Sequence, residues 1–186
     1  MLTLIIETSG EKGGLILAKQ GQCIASRTLL GGPELSQSLA QEVKDLLAGA
    51  SPKLIAVGIG PGSYTGIRVG AALAKALAYG WKIPCLGFCS LRAFGLPPIL
   101  VDARGGGIYA LLEGGKAALL TPDEINLMPG IPFFRSPHPD RVQKRLNPDL
   151  RVIECDFDVK FLARDIWEQF CLEGAPPFAL NYLTSP

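Results

Sequence analysis

Apolar and polar positions follow two different periods along the first half of this chain. Short apolar runs bounded by Gly-containing turns predict strands, whereas the residues from Leu35 onward repeat at i, i+4, i+8, i+11 and i+12, which is one face of a helix. The order of these patterns predicts three meandering strands, a helix, a strand, a second helix, a fifth strand and a helical turn. Their predicted bounds are 2–8, 15–18, 23–30, 33–48, 53–59, 65–79, 85–88 and 90–94.

The pattern restarts after Pro97 and Pro98. Residues 99–103 resemble residues 4–8 about 95 positions earlier, and strands separated by Gly-containing turns follow in both places. We predict a duplicated domain with lobes 1–97 and 98–186, although hairpins share Gly turns generically and a chance likeness stays open.

The second half of the chain predicts a reduced lobe. Its segment 122–148 holds six prolines, which predicts irregular chain along the surface because proline interrupts regular helices. Beyond this segment the pattern predicts a strand over 151–155, a helix over 159–172 and a short strand over 178–183.

Composition narrows the class of protein. Hydrophobic residues make up 48% and charged residues 19%, and 18 basic residues balance 17 acidic ones. A protein that held nucleic acid by itself would need a dense basic surface, so nucleic acid is expected as an indirect partner only.

Five cysteines without a CxxC pair, together with a single histidine, argue against a disulfide framework and a structural zinc site. The apolar N-terminal run stops at Glu7, too early for a signal peptide, and no stretch is long enough to span a membrane, so we expect a cytoplasmic protein.

The most distinctive segment is 58–70, with the sequence GIGPGSYTGIRVG. It predicts a strand, a Gly-rich turn and a helix start, a place where exposed amides can bind an anion. Neither the Walker pattern nor the dinucleotide pattern fits, so the residues favour a purely structural turn over an anion site, and both interpretations stay open. The anion interpretation would draw on strand-end and loop residues of both lobes, namely Glu7, Thr8, Gly60, Gly62, Ser63 and Asp102.

The helix that follows has three kinds of face. On one face, small residues recur every four positions: Gly66, Gly70, Ala74 and Ala78. A neighbouring apolar stripe is predicted to pack against the sheet: Val69, Leu73, Ala76 and Leu77. The opposite side carries alanines between cationic and aromatic anchors and is either a docking surface or a solvated face. Its members are Arg68, Ala71, Ala72, Lys75 and Tyr79.

The run GPGSYTGIRVG resembles the signature of the TsaB (YeaZ) family, usually close to GPGSFTGLRIG. The segments LIIETS and VDARGGGIY and the closing residues 180–183 fall in that family's order. The resemblance implies an α/β fold of the actin/Hsp70/sugar-kinase (ribonuclease H-like) type, with two duplicated lobes of which the second is reduced here. It also implies a non-catalytic subunit that works with the transferase TsaD and the ATPase TsaE to make threonylcarbamoyl-adenosine beside the tRNA anticodon.

In this family the two helices of the first lobe form a helix-bundle interface with TsaD or with a second copy. The resemblance therefore implies an interface formed by Leu35, Leu39, Tyr64, Thr65, Arg68, Ala71, Ala72, Lys75 and Tyr79. It further implies tRNA contact only through the complex, a homodimer as one form of the free protein, and ATP or ADP with Mg²⁺ at the complex interface.

Several departures argue against catalysis by this chain. Glu7 stands where the family commonly has Asp, Leu35 where it commonly has His, and a TsaD-type metal site needs two histidines where this chain has only His138. A Ser-His-Asp triad would need the same histidine and a nucleophile elbow that the sequence lacks. Two alternatives stay open: a small ATP-dependent phosphotransferase of the same fold, and a dimerisation module unrelated to tRNA.

Overall fold

The computed structural model describes residues 1–104, 106–114 and 116–183. Gly105 and Gly115, in two of the predicted turns of the second half, and residues 184–186 lie outside the described residues. The ten strands are β1 (Leu2–Glu7), β2 (Lys12–Lys19), β3 (Gln22–Leu30), β4 (Leu54–Gly58), β5 (Cys85–Phe88), β6 (Ile99–Asp102), β7 (Ile108–Leu111), β8 (Ala118–Leu120), β9 (Phe134–Ser136) and β10 (Val152–Glu154). The helices are α1 (Leu35–Leu47), α2 (Tyr64–Trp81), α3 (Pro122–Asn126), α4 (Pro139–Gln143) and α5 (Val159–Glu173), with a 3-10 turn at Ser90–Phe94.

The strands form two five-stranded sheets with the same topology. The first has the order β3-β2-β1-β4-β5 and the second the order β8-β7-β6-β9-β10. In both, the first three strands of the lobe pair antiparallel, and the fourth and fifth join in parallel. The predicted duplication and the predicted α/β fold class are confirmed.

The central strand β1 is buried on both faces, as a strand flanked by helices must be. Leu4 and Ile6 face the core shared with α1, while Ile5 faces the opposite core, where Leu162 and Ile166 of α5 pack. Burying a side chain of this size contributes about 1.5–3 kcal/mol, so β1 anchors both layers of the first lobe.

Helix α2 meets the sheet with its small residues, which corrects the predicted orientation. Gly66, Gly70, Ala74 and Ala78 are buried, whereas Val69, Leu73 and Leu77 are only partly buried and Ala76 is exposed. A Cβ atom at Gly66 would overlap the backbone oxygen of Thr8, and one at Gly70 would overlap the hydroxyl of Thr8. The helix therefore lies too close to β1 for larger side chains, which pack instead along its flank toward the α1 core.

The second lobe is more regular than predicted, because its prolines begin helices instead of preventing them. Pro122 and Pro139 occupy the first turns of α3 and α4, where a missing amide hydrogen costs nothing. Thr121 and Glu124 add a capping box to α3. The prediction of irregular chain over 122–148 is therefore wrong at α3, β9 and α4, each three to five residues long, whereas the residues between these elements are irregular.

After β10 the chain returns to the first lobe. Helix α5 packs on the first sheet, and Arg92 of the 3-10 turn donates through Nε to Asp165 at 2.6 Å. Residues 178–183, called here the C-terminal segment, form no strand, which corrects that prediction. The predicted range 98–186 thus divides into a second lobe that ends near β10 and a part that completes the first lobe.

Candidate functional site

A cleft of about 930 Å³, called here the inter-lobe cleft, separates the two lobes at the ends of β1 and β6. Its lining includes four of the residues predicted for the anion site: Thr8, Gly62, Ser63 and Asp102. Gly60 and Glu7 do not line it, which corrects their predicted placement.

Charged side chains of both lobes meet across the inter-lobe cleft. Glu11 accepts a hydrogen bond from Arg141 at 2.7 Å, contacts Arg104, and lies 3.5 Å from Nε2 of His138. The hydrogen bond from Arg141 is the main reason that the pKa of Glu11 is lowered. These groups are partly exposed, so their ion pairs contribute little to the free energy of unfolding. They nevertheless form direct contacts between the two lobes.

Asp102 is the strand-end acid of the second lobe, and it is already paired. Arg145 donates to its Oδ1, and the amide of Arg104 lies 3.3 Å from the same oxygen. The carboxylate is therefore neutralised by a guanidinium within its own lobe, which does not suit a group that would hold Mg²⁺.

Glu7, the strand-end acid of the first lobe, is 2% exposed and does not line the inter-lobe cleft. Its Oε1 accepts from the amide of Ser9 at 2.6 Å, and its Oε2, beside Gly58 and Ser90, has no hydrogen-bond partner within the described residues. Burial raises the pKa of this carboxyl above its ordinary value of 4.5. Burial thus favours the neutral form of this carboxyl, which does not suit a metal ligand.

We expect Glu7→Gln to stabilise the protein relative to the wild type as the pH rises from about 5 to 8. A carboxyl with a raised pKa in the folded state favours folding below its ordinary pKa, and that contribution is lost as the pH rises through the raised value. Glutamine keeps the acceptor for Ser9 and cannot ionise. Urea unfolding at both ends of this pH range measures the difference. An equal effect at both pH values would contradict this account of Glu7.

Three amides of the Gly-rich turn and of the start of α2 donate to groups within the chain. The amide of Gly60 donates to Oγ of Ser90 at 3.0 Å, that of Ser63 to the oxygen of Ser9 at 2.7 Å, and that of Gly66 to Oγ of Ser63 at 3.2 Å. These bonds favour the structural interpretation of the turn, which fixes α2 over β1. Anion binding there stays a prediction.

The outer side of α2 forms a continuous exposed surface. Six of the nine predicted interface residues are exposed there and are called here the exposed α2 face: Tyr64, Thr65, Arg68, Ala72, Lys75 and Tyr79. Tyr79 is 88% and Tyr64 54% exposed, which is unusual for aromatic side chains. The other three predicted residues, Leu35, Leu39 and Ala71, are at most 5% exposed, so the structure corrects their assignment: they are buried in the first lobe.

The exposed α2 face is cationic. Between Tyr64 and Trp81 the helix carries Arg68 and Lys75 and no acidic residue, and Lys82 caps its end. A face with this charge suits an acidic partner surface.

The C-terminal segment adds a feature that the sequence patterns missed. The amide of Asn181 donates to the oxygen of Ile59 at 2.7 Å, and the hydroxyl of Tyr182 accepts from Nε of Arg68 at 3.0 Å. The segment therefore runs beside the exposed α2 face. The only sequence signal for it was the likeness of residues 180–183 to a family ending.

Other site classes find no support in the described part of the chain. No group of three metal-ligating side chains converges within residues 1–104, 106–114 and 116–183. All five cysteines carry free thiols, and burial raises the pKa of Cys85 and of Cys155 to about 11, which makes both thiols unreactive. Across these same residues, no helix combines the length and the apolar character needed to cross a membrane.

Two lobes of one topology around a cleft define a protein of the actin/Hsp70/sugar-kinase class. The whole chain superimposes on YeaZ from Pseudomonas aeruginosa with a TM-score of 0.70 and 21% sequence identity, covering 96% of this chain and 99% of that one. This likeness establishes the fold.

Comparison of sequences identifies the family. Residues 34–127, about half of the chain, match the family model described as TsaD, tRNA N6-adenosine threonylcarbamoyltransferase. The tRNA threonylcarbamoyladenosine biosynthesis protein TsaB of Bacillus subtilis is 34% identical over 67% of this chain and 61% of its own length. The Escherichia coli protein of the same name is 32% identical over 59% of this chain and 53% of its own length. The chain belongs to this TsaD-related family and, within it, to the TsaB (YeaZ) proteins. It spans less than two thirds of the length of these curated relatives.

Proposed function

We propose that this chain is a non-catalytic subunit that docks through the exposed α2 face onto a TsaD-like transferase, in the threonylcarbamoyl modification of the adenosine beside the tRNA anticodon. The observation that carries the proposal is the exposed α2 face itself. It combines large exposed aromatic side chains with cationic ones around the small Ala72, on a helix that its buried glycines fix rigidly to the sheet.

The rest of the proposed assembly follows from the family resemblance. A TsaE-like ATPase joins the pair, tRNA is reached only through the complex in the cytoplasm, and a homodimer is one form of the free protein. The near-neutral charge supports indirect contact with tRNA, because direct binding needs a dense basic surface.

A Mg²⁺–nucleotide site within this chain alone does not fit the described residues. Asp102 is paired with Arg145, and Glu7 is buried away from the inter-lobe cleft. We therefore place ATP or ADP with Mg²⁺, as part of the proposal, at the interface of the complex.

We expect the isolated protein to show no ATPase, kinase or peptidase turnover above background. The two strand-end acids are unavailable, and a metal site of the TsaD type would need a second histidine. Steady-state assays with purified protein check this. Turnover that is abolished by Asp102→Ala would favour the phosphotransferase alternative instead.

Reconstitution tests the proposed function directly. The tRNA N6-adenosine threonylcarbamoyltransferase of the same organism is assayed for threonylcarbamoyl transfer to tRNA with and without this chain. We expect the chain to raise the rate strongly while showing no activity alone. A transferase whose rate does not respond to the chain would contradict the proposal and favour a dimerisation module unrelated to tRNA.

A further inference from the structure

The C-terminal segment packs against the first lobe at two glycines, which leave room for it. The ring of Phe178 fills the space beside Gly87, where a Cβ atom would come within 2.6 Å of that ring. Gly60, at a φ of +100°, leaves similar room for the backbone oxygen of Asn181. Together with the hydrogen bond from Asn181 to Ile59, these close approaches fix the segment next to α2.

Aromatic rings of the C-terminal segment lie beside the cationic side chains of the exposed α2 face. The guanidinium carbon of Arg68 lies 3.7 Å from the ring centroid of Tyr64 and 5.5 Å from that of Tyr182. The two rings are themselves 4.9 Å apart. Further along α2, Nζ of Lys75 lies 4.9 Å from the ring centroid of Phe178. Both cations of the face are therefore flanked by an aromatic ring from the C-terminal segment.

Arg68 keeps its binding groups available in this arrangement. Its Nε donates to the hydroxyl of Tyr182, and within the described residues its terminal nitrogens make no hydrogen bond and no ion pair. A guanidinium held beside two aromatic rings loses less side-chain entropy when it binds, and its two terminal nitrogens form a fork that matches a carboxylate. No acidic residue of α2 competes for it.

We propose that the C-terminal segment is part of the docking surface, in which Tyr182 positions Arg68 to bind an Asp or Glu carboxylate on the partner protein. This inference rests on the proposed function, because the partner is the TsaD-like transferase. Tyr182 is a positioning residue, and the energy of the contact comes from Arg68.

The test is a double-mutant cycle of Tyr182→Leu and Arg68→Lys in the full chain, with binding to the transferase of the same organism measured by calorimetry. Arg68→Lys keeps the charge but removes the fork, and Tyr182→Leu removes the ring and the hydroxyl that hold it. We expect each single variant to bind about tenfold more weakly. The double variant should bind little worse than either single one, because both changes damage the same contact. Ala179→Ser, at an exposed position of the same segment, is the control and should leave the affinity unchanged.

The outcomes separate this inference from the proposed function. Unchanged affinity of a folded Tyr182→Leu variant, or losses in the two single variants that multiply in the double one, would overturn the role of Tyr182 while leaving docking intact. Failure of the wild-type chain to bind the transferase would overturn the proposed function and this inference with it.

Discussion

Ala72→Glu is expected to weaken docking on the transferase by about 2–4 kcal/mol, which is roughly 30- to 700-fold in affinity. Ala72 lies at the middle of the exposed α2 face, between Arg68 one turn before it and Lys75 one turn after it. A glutamate there adds bulk at the closest approach of another helix and pairs with these cations at helical spacing. The face loses its small centre, and its positive charge is reduced.

The fold should survive this change, because the buried side of α2 is opposite. Circular dichroism and thermal melting check the fold, and calorimetry or pull-down measures docking. Leu172→Glu is the matched control: it introduces the same charge at an 85% exposed helical position on α5, away from the exposed α2 face. Wild-type affinity of a folded Ala72→Glu variant would mean that this face is ordinary solvated surface and that docking occurs elsewhere.

Gly66→Ala is expected to destabilise the protein by about 1–3 kcal/mol, as overpacking of a tight contact does. The added methyl group would overlap the backbone oxygen of Thr8, which cannot move without displacing the end of β1. The hydrogen bond from the hydroxyl of Thr8 to the oxygen of Gly66, 2.7 Å long, holds the helix at this distance.

Gly80→Ala in the same helix is the matched control for this substitution. No atom lies within 4 Å of a Cβ placed there, so alanine should stabilise the helix by about 0.5–1 kcal/mol through its lower backbone entropy. Urea unfolding of both variants measures the contrast. Equal effects of the two substitutions would mean that α2 does not pack against β1 through its glycines.

The sequence predicts the strands of the first lobe well because each core uses alternate residues. In β1, Leu4 and Ile6 enter one core and Ile5 the other, and this two-sided burial produces the apolar run that marks the strand. The orientation of α2 could not be predicted in the same way. Hydrophobicity favoured the side of Val69 and Leu73, but the distance between helix and sheet, a tertiary property, admits only the side with glycine and alanine.

Two other errors have similarly physical causes. The prolines of the second lobe predict irregular chain, yet Pro122 and Pro139 begin helices there, where a fixed φ is an advantage. The family resemblance assigns Leu35 and Leu39 to the interface, but their helical repeat marks them as core residues. The sequence predicts the proposed docking surface incompletely, because Arg68 and Tyr182 are 114 positions apart, beyond the reach of any local pattern.

The central claim, that this chain is a docking subunit, is tested most directly by sedimentation velocity. The purified chain and the threonylcarbamoyltransferase of the same organism are run separately and as an equimolar mixture at micromolar concentrations. We predict a new, faster boundary that contains one copy of each protein and disappears when Ala72→Glu replaces the wild-type chain. A mixture that sediments as the sum of its two separate components would contradict the claim.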